Sequence, residues 1–159
     1  MAAHSQTSLK RVVNIFAMTD KKKVILVRRR GMNMYELPMG AMELSARPIQ
    51  AAIQALVHLQ YVVASASDKN PYEIPSPLAD CASSNVVALG CHHVPSSTTL
   101  STDLIVELKT TEDVHTLARQ GRILNGYSVY RALDDLGLLD GSGPRSSLRM
   151  LISEPTGPK

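Results

Sequence analysis

The sequence predicts an α+β domain, layered as an α/β/α sandwich. Two β-branched runs, residues 11–17 and 23–28, flank the polar residues 19–22, the pattern of two strands about a turn. From Pro48 onward apolar residues recur at spacings of three and four, the period of a helix. Strand-like and helix-like stretches are then interspersed to about residue 138 without an internal repeat, which favours one mixed-layer domain over a repeat array.

Each element has a local reason. After the first two strands, residues 34–38 form a short extended stretch ending at Pro38, and Gly40 reads as a break. Pro48 opens a helix, because a proline in the first turn loses no hydrogen bond and presets its dihedral. Its apolar face is Ile49, Ala52, Ile53, Leu56, Leu59 and Val63, a helix of about four turns. Residues 65–70 read as a polar loop and 71–77 as a proline-punctuated one. Residues 85–91 are a buried-strand candidate. In residues 103–109, Leu104, Val106 and Leu108 face one way and Ile105, Glu107 and Lys109 the other. Thr111, Glu112 and Asp113 start a second helix with an acidic first turn, which Gly121 ends. Residues 128–138 make a third helix. The chain therefore divides into one domain over 1–140 and a Gly/Pro/Ser-rich tail over 141–159, in which 148–152 could add a short strand.

Composition excludes several classes. The 159 residues are 44% hydrophobic and 19% charged, a globular balance. No apolar run approaches the ~20 residues of a membrane helix, so no membrane partner is expected. Two cysteines, Cys81 and Cys91, make no disulfide framework and point to a reducing, intracellular compartment. Cytoplasm or nucleus is the simplest assignment. The acid-poor residues before Asp20 keep a mitochondrial presequence as the alternative. There is no Trp and a single Phe, thin equipment for stacking many bases.

Charge is uneven. Residues 1–30 hold eight Lys and Arg against Asp20 alone, whereas the remainder is net acidic. Lys21 to Lys23 fit a solvated turn, and the excess also fits an anionic partner such as phosphate or RNA. Cys81, Cys91, His92 and His93 do not have the spacing of a short-loop zinc site. Neither a Gly-Lys-Ser phosphate loop nor a readable Ser-His-Asp set is present.

Residues 24–62 carry a more specific pattern. Ile25-Leu-Val-Arg-Arg-Arg leads into Glu36-Leu-Pro-Met-Gly, and Pro48-Ile-Gln-Ala-Ala-Ile-Gln-Ala-Leu follows in register. This stretch resembles a Nudix hydrolase domain: a strand ending in Arg, the phrase Glu-Leu-Pro-small-Gly, and then the signature helix. Ile74-Pro-Ser-Pro, with Pro77 at the marker position, is similar to the loop after the box in ADP-ribose pyrophosphatases. The run from Leu117 through Asn125 to Ser128 resembles their closing pattern, with Asn125 where Asp is usual. The resemblance covers roughly residues 11–138 and implies a sandwich with a mixed central sheet.

In that register the box is degenerate. Gly40 takes the opening glycine, and Ala46 stands at the first glutamate. Gln54 and Ala55 replace an Arg-Glu pair, His58 and Leu59 a Glu-Glu pair, and Tyr61 a glycine. The family holds divalent ions, usually Mg²⁺, on those carboxylates to cleave a diphosphate. Mg²⁺ needs oxygen ligands, and between Glu43 and Asp68 the sequence has no acidic residue. The expected protein is therefore a catalytically degenerate Nudix fold, binding a nucleotide, RNA or a protein as a subunit or scaffold, with no cofactor or resident metal.

The alternative is a divergent Mg²⁺- or Mn²⁺-dependent hydrolase of ADP-ribose or another nucleoside diphosphate derivative, with Glu43, His58 and Glu107 as weak catalytic candidates. Arg28, Arg29, Arg30, Glu36 and Pro77 are the candidate ligand-binding residues, the arginines ending a strand that lies beside the cleft in this fold. A partner RNA or ribonucleoprotein fits the basic N-terminal third. The resemblance also implies a homodimer exchanging N-terminal strands.

Overall fold

The computed structural model describes residues 10–43, 47–68, 81–95, 100 and 102–139. Its organising strand is β1 (Lys10–Thr19), which pairs in parallel with β7 (Cys81–His93) from Lys10↔Cys81 to Ala17↔Ala88. On its other edge lies the antiparallel β4 (Met39–Met42), from Arg11↔Met42 to Asn14↔Met39. The turn after β1 leads into β2 (Lys23–Arg29), but the two strands pair only at Met18↔Val24. They then diverge. β2 joins the antiparallel β8 (Leu104–Thr110) along its whole length and the short β3 (Tyr35–Glu36) at its end. Two further short strands, β5 (Tyr61–Val62) and β6 (Ser65–Ser67), pair antiparallel with β7.

Side-chain alternation along β1 builds two cores, one on each face of the sheet. Val13, Ile15 and Ala17 point to one face and pack with Ile25, Val27, Val86 and Ala88 against α1 (Pro48–His58), which contributes Ala51, Ala52 and Leu56. Phe16 and Met18 point to the other face. With Val24, Leu26 and Val87 they pack against α2 (Thr111–Arg119) and α3 (Gly126–Asp135) through Val114, Val129, Ala132 and Leu133. Three helices on two faces of a mixed sheet are the expected α/β/α layering.

Several boundaries differ from the sequence reading. Gly40 is a strand residue of β4 rather than a break. α1 has 11 residues, ending before Val63, because Gln60 adopts a left-handed φ of 68° and the chain turns into β5. Its buried face is Ala51, Ala52 and Leu56, while Ile53 is exposed: the pattern's period was right but its phase was set by small residues. Residues 65–67 are a strand where a polar loop was expected, because β7 extends far enough to offer them an edge. α3 begins two residues earlier than expected and ends before Gly137 at a φ of 69°. α2 is capped as its sequence suggests, the Thr110 hydroxyl accepting from the Asp113 amide at 3.1 Å. The proposed loop 71–77, the strand over 148–152 and the tail lie outside the described residues.

Gly90, with a φ of 65°, lets β7 shift register against β1 so that Thr19 opposes Cys91. A side chain there would also lie 2.8 Å from the Ala64 methyl, so β6 and β7 depend on its absence. Cys81 and Cys91 are ten residues apart on the same strand, a backbone separation of roughly 33 Å at ~3.3 Å per residue.

Candidate functional site

The stretch Glu36-Leu-Pro-Met-Gly crosses the sheet between β2 and α1 and is pinned on both sides. The Ile15 amide donates to the Pro38 carbonyl at 2.9 Å, and the Leu37 amide donates to Asn125 Oδ1 at 3.0 Å. Asn125 in turn donates through Nδ2 to Asn14 Oδ1 at 3.2 Å. The amide therefore accepts from one neighbour and donates to another, a pair of roles that an ionised aspartate at this position could not fill. Asn125 is a supporting residue; its only sequence signal was standing where the family pattern has Asp.

Gly40 sets how closely α1 approaches this stretch. A Cβ on it would lie 3.1 Å from the Ala55 methyl, 3.2 Å from the Ala51 carbonyl oxygen and 3.3 Å from a Val13 methyl. Glycine at position 40 is thus explained by backbone approach, with Ala55 facing it across the gap.

Beside that contact opens a cleft of ≈ 500 Å³, within the range of small-ligand sites. It is lined from β4 by Met39, Gly40 and Ala41, from α1 by Ala51, Gln54, Ala55 and His58, and then by Leu59. Val27, Glu36, Leu37, Pro38 and Leu104 complete the wall. The structure therefore brings together Glu36, Gly40, Gln54, Ala55, His58 and Leu59, six of the residues singled out from the sequence. Val27, Met39, Ala41 and Leu104 line the cleft as well and carried no sequence signal beyond their apolar character.

The remaining candidates lie elsewhere. Tyr61 is buried in the α1-side core and meets the His93 ring edge-on at 5.4 Å. The left-handed conformation falls on Gln60, which leaves Tyr61 free to be large. Glu43 is exposed just beyond β4 and is not part of the cleft wall. Ala46 and Pro77 lie outside the described residues.

Arg28 and Arg29 end β2, with Arg30 directly after, and strand alternation sends neighbours to opposite faces. Val27 and Glu36 are paired and face the cleft, so Arg28, paired with Tyr35, projects to the opposite face. There its Nε donates to Glu107 Oε1 at 2.8 Å. Arg29 is exposed at the end of β2 and does not line the cleft, and Arg30 donates through Nε to the Thr102 carbonyl at 3.2 Å.

Glu107 is likewise not a cleft residue. Its other oxygen accepts from the Tyr35 hydroxyl at 2.9 Å and lies 3.5 Å from Lys109 Nζ. The hydrogen bond from Arg28, with further help from Tyr35 and Lys109, holds its carboxyl below the usual carboxylate range. It is an ion-pair residue, poorly suited to act as a base.

Among the described residues lining the cleft only Glu36 and His58 are ionisable. His58 Nδ1 is 2.9 Å from the Gln54 carbonyl oxygen of its own helix, which can only accept, so Nδ1 is the donor of that bond. Among the described residues no three His, Cys, Asp or Glu side chains converge as a metal site would require. One carboxylate and one imidazole do not fit Mg²⁺, a hard ion that takes oxygen ligands in octahedral geometry. Among the described residues no helix is long and apolar enough to cross a membrane.

No family model and no curated protein matches this sequence. Solved structures do resemble it. A structure described as an ADP compounds hydrolase is 18% identical, with a TM-score of 0.59 over 82% of this chain and 76% of that one. A mutator MutT protein from Bacillus halodurans is 15% identical, with a TM-score of 0.56 over 76% of this chain and 78% of its own. A MutT structure from work on Aliivibrio salmonicida and Vibrio cholerae is 12% identical, with a TM-score of 0.50 over 67% of this chain and 84% of its own. At these identities the likeness shows the fold, a Nudix-type α+β sandwich.

Proposed function

We propose that this Nudix-fold chain is a non-hydrolysing binding subunit, whose cleft holds a nucleotide-like ligand or a segment of a partner protein. The observation that supports it is the composition of the cleft wall. Gln54, Ala55, His58 and Leu59, which the sequence register aligns with the family's box, line it, and among the described lining residues Glu36 is the one acid beside them. A cleft of this size with neutral amides and methyl groups retains the shape of a binding site without the charge that would gather divalent ions. On this reading the protein has no resident metal or cofactor.

The second reading, a divergent Mg²⁺- or Mn²⁺-dependent hydrolase, draws support from the likeness to a structure described as an ADP compounds hydrolase and from Glu36 at the cleft. Calorimetric titration of ADP-ribose into the full chain with Mg²⁺ present separates the two. Saturable heat that persists after chelation supports the binding subunit. Sustained heat that vanishes on chelation would establish the hydrolase instead. No heat would direct the cleft to a protein segment. A homodimer is part of the same proposal, and sedimentation across a range of protein concentrations tests it.

A further inference from the structure

The face of the β3–β2–β8 ladder turned away from the cleft carries an arrangement that the cleft does not use. The Tyr35 ring, only 8% exposed, lies between two cations: Lys109 Nζ is 5.6 Å and the Arg122 guanidinium 5.8 Å from its centroid. Arg28 stands beside them. It and Lys109 share the single carboxylate of Glu107 with the Tyr35 hydroxyl. Arg122 comes from the connection between α2 and α3, held against β3 by the Tyr35 amide donating to its carbonyl at 2.8 Å. One of its terminal nitrogens donates to the Asn33 carbonyl at 3.4 Å.

The charge balance is the informative part. Three cations from three separate segments gather beside Tyr35, and Glu107 pairs with two of them, Arg28 and Lys109, which leaves a formal surplus of two positive charges within the cluster. The buried ring orients two of the cations through its negative face without neutralising either. Glu107 fixes Arg28 through Nε. The Arg28 and Lys109 side chains are 27% and 31% exposed, so their positive ends remain open to solvent. Arg30, two residues on, extends the positive surface toward the end of β2. The exposed Asp103, whose carbonyl accepts from the Arg30 amide, is the acid at that end.

We propose that Arg28, Lys109 and Arg122, arranged about Tyr35, form a phosphate-binding site for the backbone of single-stranded RNA, on the face of the sheet opposite the cleft. Phosphate is the anion that such a set holds best, because guanidinium groups donate in paired directions to its oxygens and lysine adds a point charge. The cleft is a poorer place for phosphate, since among the described residues neither Lys nor Arg lines it. Tyr35 is too buried to stack on a base, so recognition would be of the backbone and tolerant of sequence. The site is independent of what the cleft binds.

The test is fluorescence anisotropy of a short labelled oligouridylate against the full chain over about 50–200 mM salt. Lys109→Gln and Arg122→Gln should each lower the affinity severalfold, and each should flatten the plot of log K against log salt by about 0.7, the value for one single-strand phosphate contact. The double variant should do both about twice over. Circular dichroism melting confirms that each variant is folded, and Arg122→Lys should restore part of the affinity if the charge is what matters. Arg47→Gln removes an exposed cation at the start of α1 on the other face and should change affinity less than twofold.

Equal losses from Arg47→Gln and Lys109→Gln would mean diffuse attraction to a basic protein and would overturn the site. Full displacement of the RNA by millimolar inorganic phosphate at constant ionic strength would reassign it to a free phosphate ligand. Equal binding of polyglutamate would reassign it to an acidic protein surface. An unchanged slope in both variants would refute the proposal outright.

Discussion

Replacing Gly40 by alanine tests the account of how α1 seats the cleft. The new methyl would lie 3.1 Å from the Ala55 methyl, 3.2 Å from the Ala51 carbonyl oxygen and 3.3 Å from a Val13 methyl. All three are tighter than ordinary van der Waals contact, and the neighbours are a backbone atom and two short core side chains that cannot swing away. Overpacking of this kind costs about 1–3 kcal/mol. Alanine also restricts the unfolded chain, which returns about 0.4–1 kcal/mol, and the native φ of Gly40 is not among the left-handed ones, so no backbone strain is added. The net expectation is a loss of about 1–2 kcal/mol, or a fall in Tm of roughly 2–8 °C for a chain of this size. Differential scanning calorimetry reads it directly. Ala55→Gly removes the nearest of the three contacts, at about 1 kcal/mol of helix propensity on its own. The double variant should then lose less than the sum of the singles, with a coupling of about 0.5 kcal/mol or more. A Gly40→Ala protein that melts at or above the wild-type temperature would refute the close approach and, with it, the explanation of glycine at position 40.

Three further expectations can be checked separately. Because Glu107 has a depressed pKa in the folded state, the stabilisation it brings is present above the ordinary carboxylate range and is lost as pH falls through its folded value; Glu107→Gln should therefore flatten the acid limb of Tm against pH below about pH 5. Ala55→Glu with His58→Glu places two carboxylates three residues apart on the cleft side of α1, with Glu36 facing them, and should create Mn²⁺ binding visible by electron paramagnetic resonance where the wild type has none. If the double variant is folded and binds no Mn²⁺, the register of the box is wrong. Leu59 is better left alone in that experiment, since it packs into the α1-side core. Finally, burial pushes the Cys91 thiol up to about 11, so in a Cys81→Ala background a disulfide-exchange reagent at pH 8 should find no reactive thiol until the protein is unfolded.

The layering was legible because it is written in local patterns: the alternation of residues 13–18, the apolar rows of α1, and the Thr110–Asp113 helix start. That Gln54, Ala55 and His58 share one side of α1 was legible from helical spacing, since they are three and four residues apart. For the arginines a period of two assigns neighbours to opposite faces, and nothing in Arg28-Arg29-Arg30 says which one faces the helix. That choice was made far away, by Tyr35 and Glu107 pairing with the strand. The latch of Asn125 onto Leu37 and Asn14 spans a separation of 88 and 111 residues respectively, beyond any local pattern.

The divergence of β1 from β2 after a single pairing at Met18↔Val24 also constrains how the chain can be made. β1 can recruit β4 early, but its other edge waits for β7, since Asn14 is matched only by Asn85, roughly seventy residues on. β2 waits longer still, for β8. During synthesis at about 5–20 residues per second, β1 therefore leaves the ribosome several seconds before its parallel neighbour exists. Over that interval an apolar strand with open hydrogen-bonding groups is free to pair with a second nascent chain. Long-range closure of the sheet keeps β1 open to such pairing for longer than a sheet built from local hairpins would.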